Sequence, residues 1–200
     1  RLENGARRPW FPGRPPGRWS VTYLMVAAAS AVDTPHLVTT QGEHPSVLAV
    51  CDRLERLGRV EVTRIEVDRF GMWSVESVLQ SLRPETVLIT AMHAQNETGN
   101  VFPVAALRAA LDARSLRVPL HVDAVQSLGK LPVSQEVLGW DLLSVSAHKV
   151  HGPKGAGALV IGDEVDWDPP AVGGAQEGGR RGGTENTLGI IGFGAACAGL

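Results

Sequence analysis

The sequence predicts an α/β fold, a mostly parallel sheet flanked by helices. Three observations predict it. Short apolar runs recur at close intervals from His36 onward. Between them the apolar residues change to helical spacing, and strand, helix, strand, helix at this rhythm is the pattern of a parallel sheet. One run, "TVLITAM" (86–92), is apolar without interruption, as a strand covered on both faces is.

The elements follow in order. "LVTT" (37–40) is the first strand. Pro45 holds a first-turn position before Val47, Val50, Cys51, Leu54 and Leu57, one face of a helix that Gly58 closes. "VEVTRIEV" (60–67) alternates apolar and polar residues like a half-buried strand. Ser74 caps a helix carrying Val75, Val78, Leu79 and Leu82, which Pro84 stops. After strand 86–92, Pro103 opens a helix through Leu107 and Leu111. "VPLHVDA" (118–124), "DLLSVSA" (141–147) and "GALVI" (157–161) complete the strands. "GGAQEGGRRGGTENT" (173–187) is too polar and glycine-rich for an element, and reads as a binding loop or a disordered one.

Composition bounds the function. The chain has 200 residues, is 44% hydrophobic and carries a formal charge of −2. That balance gives no electrostatic case for nucleic acid or an anionic membrane, and no apolar run approaches the roughly 18–20 residues that span a bilayer. Two cysteines, Cys51 and Cys197, make neither a disulfide framework nor a four-thiolate metal site. A cytoplasmic or mitochondrial-matrix location is expected. Residues 1–36 form a divergent N-terminal segment with an arginine-rich start and an apolar stretch, Val21–Ala29, that mimics a targeting leader. Residues 37–200 form the folded domain.

In such sheets ligands bind at the carboxyl ends of the strands, and four predicted strands end in reactive-looking residues. Glu43 and His44 follow the first, His93, Gln95, Asn96 and Glu97 follow 86–92, Asp123 and Gln126 follow 118–122, and Ser146, His148 and Lys149 follow 141–145. If these strands are neighbours, all four groups meet on one rim. Asp123 ends an apolar run, where a carboxylate wants a cationic or N–H partner; a helix N-cap is the plainer alternative. Lys149 closely follows "DLLSV", where partial desolvation favours the neutral amine that attacks carbonyls; a snorkelling surface lysine is its alternative. Together they suggest pyridoxal phosphate. Its aldehyde needs a lysine, its pyridine nitrogen a carboxylate, and its phosphate hydroxyls, N–H groups and a cation. Ser146, His148 and the glycine-rich turns offer the last set, and His44 offers a plane against the ring.

"EHPSVL", "HAQNETGNVFPV", "HVDAVQSLGKLPV", "SAHKVHGPKGAGAL" and "GGRRGGTEN" resemble, in order and with natural spacing, motifs of the cysteine desulfurases and selenocysteine lyases, pyridoxal-phosphate enzymes of the class V aminotransferase family. The resemblance implies the large domain of fold-type I enzymes over residues 37–200, in partial form and without the C-terminal small domain. It implies that Lys149 forms the internal aldimine and that Asp123 pairs with the pyridine nitrogen. Gln126 bonds the ring hydroxyl, His44 stacks on the ring and assists proton transfer, and Asn96 lies near the ring and the substrate carboxylate. Ser146 and His148 hold the phosphate, and Thr184 reaches the phosphate of a partner subunit in a homodimer. The implied reaction takes sulfur from L-cysteine, or selenium from L-selenocysteine, leaves L-alanine, and serves a sulfur-acceptor or scaffold protein in iron–sulfur cluster assembly.

Some family features have no clear counterpart. The sulfur-accepting cysteine and the substrate-gripping arginine of relatives lie beyond the matched motifs, and "VAAASAVDT" is a poor version of their glycine-threonine turn. Cys51 and Cys197 are both expected as buried structural thiols. This polypeptide is therefore expected to bind the cofactor weakly and to turn over poorly. Three other readings compete: another class V enzyme such as an aminotransferase, a truncated dimerising homologue without catalysis, and a phosphate-loop nucleotide binder. "GPKGAG" lacks the Gly-Lys-Ser/Thr ending of a phosphate loop. Metal binding through His148 and His151 is thinly supported, because a glycine turn does not give the helical spacing such a pair needs; His36 and His121 are expected to be structural.

Overall fold

The computed structural model describes residues 34–165 and 174–200. The arginine-rich head and the stretch Val21–Ala29 lie outside the described residues. The elements run β1 (His36–Thr40), α1 (Pro45–Arg56), β2 (Glu61–Ile65), α2 (Val75–Ser81), β3 (Thr86–Met92), α3 (Val104–Ala113), β4 (Leu120–Asp123), α4 (Gln135–Leu138), β5 (Leu142–Ser146), β6 (Gly157–Ile161) and α5 (Thr187–Ala198), with 3-10 turns at Ala147–Lys149 and Glu177–Gly179. No helix among the described residues is long and apolar enough to cross a membrane.

The strands form one sheet in the order β2-β1-β3-β4-β5-β6. β1 to β5 are parallel, and β6 returns antiparallel on β5. The strand order reverses direction between β1 and β3. At such a switch point the connections leave in opposite directions and open a crevice at the carboxyl ends of the strands.

The local signals act as expected. His44 is the N-cap of α1, its Nδ1 accepting from the Ser46 N–H at 3.1 Å, with Pro45 in the first turn. Val47, Val50, Cys51 and Leu54 turn inward at i, i+3, i+4 and i+7. Ser74 caps α2 through the Ser77 N–H at 3.0 Å. His36 pins three strands at the amino end of the sheet, its ring nitrogens each 2.8 Å from the Thr86 and Thr63 hydroxyls.

Successive side chains of a strand point to opposite faces, and the two faces here differ. On one, Val38, Ile89, Ala91, Leu120, Val122 and Leu143 pack under α2, α3 and α4 with Trp73, Leu107 and Leu111. On the other, Leu37, Leu88, Leu142, Leu159 and Ile161 meet Val47 and Cys51 of α1. The residues between them on this second face are polar: Thr39, Thr90, His121 and Asp123 are buried and Ser144 half-buried.

Candidate functional site

The four strand ends expected to converge are neighbours in the sheet, β1, β3, β4 and β5 side by side. Met92 pairs with Asp123 in register, and Asp123 with Ser144. The loops leaving them are tied across the rim. The His93 N–H donates to the Asp123 carbonyl at 2.9 Å, and the Ala124 N–H to the Ser144 carbonyl at 2.9 Å.

Asp123 is the last residue of β4 and buried. Its Oδ1 accepts from the Val125 N–H at 2.9 Å, which starts the turn at 125–130; the residue ends a strand and caps no helix. Burial holds its carboxyl above the usual carboxylate range, opposed by the Val125 N–H and by His44. His44 is thus within electrostatic reach of Asp123, on the exposed corner between β1 and α1. Its Nδ1 lies 2.7 Å from the Ser46 hydroxyl, which leaves Nε2 as the nitrogen open to a ligand. Gln126 is half-buried in the turn after β4, and its carbonyl accepts from Lys130 Nζ at 3.0 Å. Asn96 is exposed on a tight loop in which Gln95 Oε1 accepts from the Thr98 N–H at 3.0 Å and from the Glu97 N–H.

After β5 the chain enters the 3-10 turn Ala147–Lys149. The Ser146 hydroxyl and His148 Nδ1 are 2.7 Å apart. The His148 imidazolium is disfavoured first by desolvation, then by the charges of Lys149 and Lys154. Gly152 is needed here, because a Cβ would sit 2.9 Å from the Ala147 carbonyl oxygen, to which the Gly152 N–H donates at 2.8 Å. His151 next to it has φ 65°, a conformation that ordinary residues seldom adopt. Lys149 itself is exposed. It lies three residues beyond the end of β5, on the 3-10 turn, and is not covered as a position after an apolar run was expected to be.

Thr184 is exposed in the "GGRRGGTEN" loop. The buried Arg181 organises it, donating to the carbonyls of Gly182 at 3.1 Å, Gly183 at 2.7 Å and Thr184 at 3.4 Å. The cysteines divide. Cys51 is fully buried, and burial pushes its thiol up to about 12. Cys197, expected buried, is exposed on α5, since that helix buries only Gly189 and Phe193.

Two rim residues gained no role from the sequence. Glu43 is 3% exposed, and desolvation followed by the nearby Asp123 pushes its carboxyl up to about 8. His93 is buried with Nδ1 lacking a hydrogen-bond partner, and burial lowers its pKa. Their positions after β1 and β3 were the only signal, and it could not separate ligand from support.

The fold and rim define an α/β protein with polar residues gathered at the carboxyl edge of its parallel strands. The chain belongs to the aminotransferase class-V family, whose model matches residues 22–200. It is 44% identical over 176 residues to a cysteine desulfurase of Enterobacter agglomerans, covering 88% of this chain and 43% of the relative. It is 44% identical over 171 residues to the cysteine desulfurase IscS of Dictyoglomus turgidum, covering 86% and 43%. Among solved structures, SspA in complex with cysteine superposes with TM-score 0.81 at 38% identity, over 88% of this chain and 50% of that one. DndA from Streptomyces lividans gives TM-score 0.79 at 36% identity, over 88% and 50%. The chain thus spans about half the length of these relatives. Members of this family are pyridoxal-phosphate dependent, and the sheet and its helices are those of the fold-type I large domain.

Proposed function

We propose that this chain is the cofactor-binding core of a cysteine desulfurase, which takes sulfur from L-cysteine and leaves L-alanine. The observation that carries the reading is the meeting of four strand ends on one rim, with a buried carboxylate that is half satisfied. The Asp123 carboxylate accepts one hydrogen bond, at Oδ1, and no other among the described residues. A buried carboxylate in that state suits a protonated ring nitrogen.

The residues present fit pyridoxal phosphate. Asp123 would hold the ring nitrogen, His44 would lie against the ring with Nε2 free for a proton, and Gln126 and Asn96, on the loops after β4 and β3, would border it. Ser146 and His148, with Lys149 and Lys154 close to His148, form the polar and cationic corner suited to a phosphate. Lys149 is the amine for covalent attachment, and its exposure leaves it accessible. When bound, the cofactor withdraws electrons from the substrate Cα. Neither described cysteine suits the sulfur-accepting role, Cys51 because it is buried and un-ionised, Cys197 because it lies on α5 and not on the rim. The acceptor thiolate is supplied by another segment or partner. Relatives named cysteine desulfurase, and one solved with cysteine, support cysteine over other amino acids; L-selenocysteine is the chemically adjacent substrate, and a homodimer reached through Thr184 belongs to the same reading.

The test supplies pyridoxal phosphate, L-cysteine and an external thiol reductant to the protein. Slow, Lys149-dependent formation of alanine and sulfide in equal amounts is expected. Transfer of the amino group to a keto acid, with no sulfide, would instead place the chain with the class V aminotransferases.

A further inference from the structure

Glu43 stands at the switch point, and the function proposed above gives it nothing to do. Its Oε1 accepts from the Met92 N–H at 2.6 Å and from the Thr40 hydroxyl at 3.1 Å. Its Oε2 is buried without a hydrogen-bond partner. The Met92 bond crosses from the β1–α1 corner to the end of β3, and Met92 is the register partner of Asp123. On its other side Glu43 is bonded to His44. The corner is seated from below as well: a Cβ on Gly42 would lie 2.7 Å from Cζ of Phe102.

We propose that Glu43 is a positioning residue of the pocket, which clamps the β1–α1 corner to β3 and thereby sets His44 relative to Asp123. The inference rests on the pyridoxal-phosphate reading. Its charge state supports it. Burial and the nearby Asp123 push the Glu43 carboxyl up to about 8, which favours the neutral form at neutral pH, and both donors bond Oε1. The groups facing it are the Thr40 hydroxyl, the Met92 N–H, Asp123 from β4 and the Cys51 thiol from α1; His44 beside it acts on Asp123. No lysine or arginine among the described residues pairs with it. Of two neighbouring carboxyls, Glu43 keeps its proton so that Asp123 alone can carry the negative charge a protonated ring nitrogen requires. When Glu43 ionises, a second negative charge enters the pocket beside Asp123 and opposes the anionic cofactor.

The experiment titrates pyridoxal phosphate into the protein, Glu43→Gln and Glu43→Ala, following the absorbance and circular dichroism of the bound cofactor from about pH 6.5 to pH 9. Glu43→Gln keeps an acceptor for Met92 and Thr40 and cannot ionise. It should bind within about 2-fold of wild type at neutral pH and hold that affinity at pH 9, where wild type falls behind it by about 5-fold or more. Glu43→Ala should bind about 10-fold more weakly at all pH values while far-ultraviolet circular dichroism stays unchanged. Superimposable pH profiles for wild type and Glu43→Gln would overturn the inference, and so would wild-type affinity in Glu43→Ala. Should the alanine variant fail to fold, the glutamine comparison decides alone. A wild-type protein that takes up no cofactor at any pH overturns the proposed function itself, and the inference with it.

Discussion

On the face of the sheet covered by α2, α3 and α4, the inward side chains Val38, Ile89, Val122 and Leu143 are apolar, and the buried Thr40 at the end of β1 is a polar exception bonded to Glu43. On the face shared with α1, the same strands present Thr39, Thr90, His121, Asp123 and Ser144 among their leucines. The first face stabilises by burial, at roughly 25 cal/mol per Å² of apolar surface. The second must pair every polar group it buries. On β3, β4 and β5 it does so through a chain, Thr90 Oγ1 to His121 Nδ1 at 2.7 Å and His121 Nε2 to Ser144 Oγ at 2.9 Å, while on β1 the Thr39 hydroxyl is left without a partner. Two residues further along β4, on the same face, stands Asp123, which is only half paired. The candidate site is therefore where the polar face reaches the rim and its pairing runs out.

The contrast can be broken or sharpened by substitution. Truncation on the apolar face should cost most: Leu107→Ala, fully buried among α2 and α3 neighbours, should lower unfolding stability by about 3–4 kcal/mol in a denaturant titration while leaving the rim intact. On the polar face, Thr90→Val removes one partner of His121 and leaves its Nδ1 buried and unpaired, which should cost about 1–3 kcal/mol by the same measurement. A near-zero cost there would mean the polar chain is incidental. Lys149→Ala should change stability by less than about 0.5 kcal/mol, because the side chain is exposed, yet remove covalent cofactor uptake.

The pH dependence of the cofactor-free protein probes two of its buried titratable groups, His121 on the polar face and Glu43 at the rim. Burial pushes His121 down to about 3. Its neutral form is the folded one, so its contribution is complete above the ordinary histidine range near 6.5 and is lost as pH falls from there toward 3. Glu43 works in the opposite sense. Its raised pKa makes its contribution complete below about 4.5, lost progressively as pH rises toward 8. Thermal unfolding of His121→Asn should be flatter than wild type on the acid side, and that of Glu43→Gln flatter on the alkaline side. Parallel curves would show that neither group is buried as described.

Much of this was legible in the sequence, because each strand is an apolar run that stops at a polar residue. Lys149, Asp123 and His44 were singled out as candidates that way, and "TVLITAM" and "GALVI" fall on β3 and β6 as read. What was illegible depends on neighbours distant in the chain. That β1 lies between β2 and β3, creating the switch point, is set by packing and has no local signal. The antiparallel return of β6 likewise has none, since five apolar residues read alike in either direction. The polar chain through His121 appears only once Thr90 and Ser144 are aligned beside it. Exposure misled twice: Lys149 follows an apolar run but sits on a turn beyond it, and Cys197 occupies an apolar helix that buries only Gly189 and Phe193.

The central claim is that the polar rim is a pyridoxal-phosphate pocket with Lys149 as its attachment point. Borohydride reduction of the protein incubated with pyridoxal phosphate, followed by peptide mass spectrometry, tests it most directly. The account predicts the reduced pyridoxyl group on Lys149, lost when Asp123 is replaced by alanine. Labelling spread over Lys130, Lys149 and Lys154 alike, and indifferent to Asp123, would contradict it.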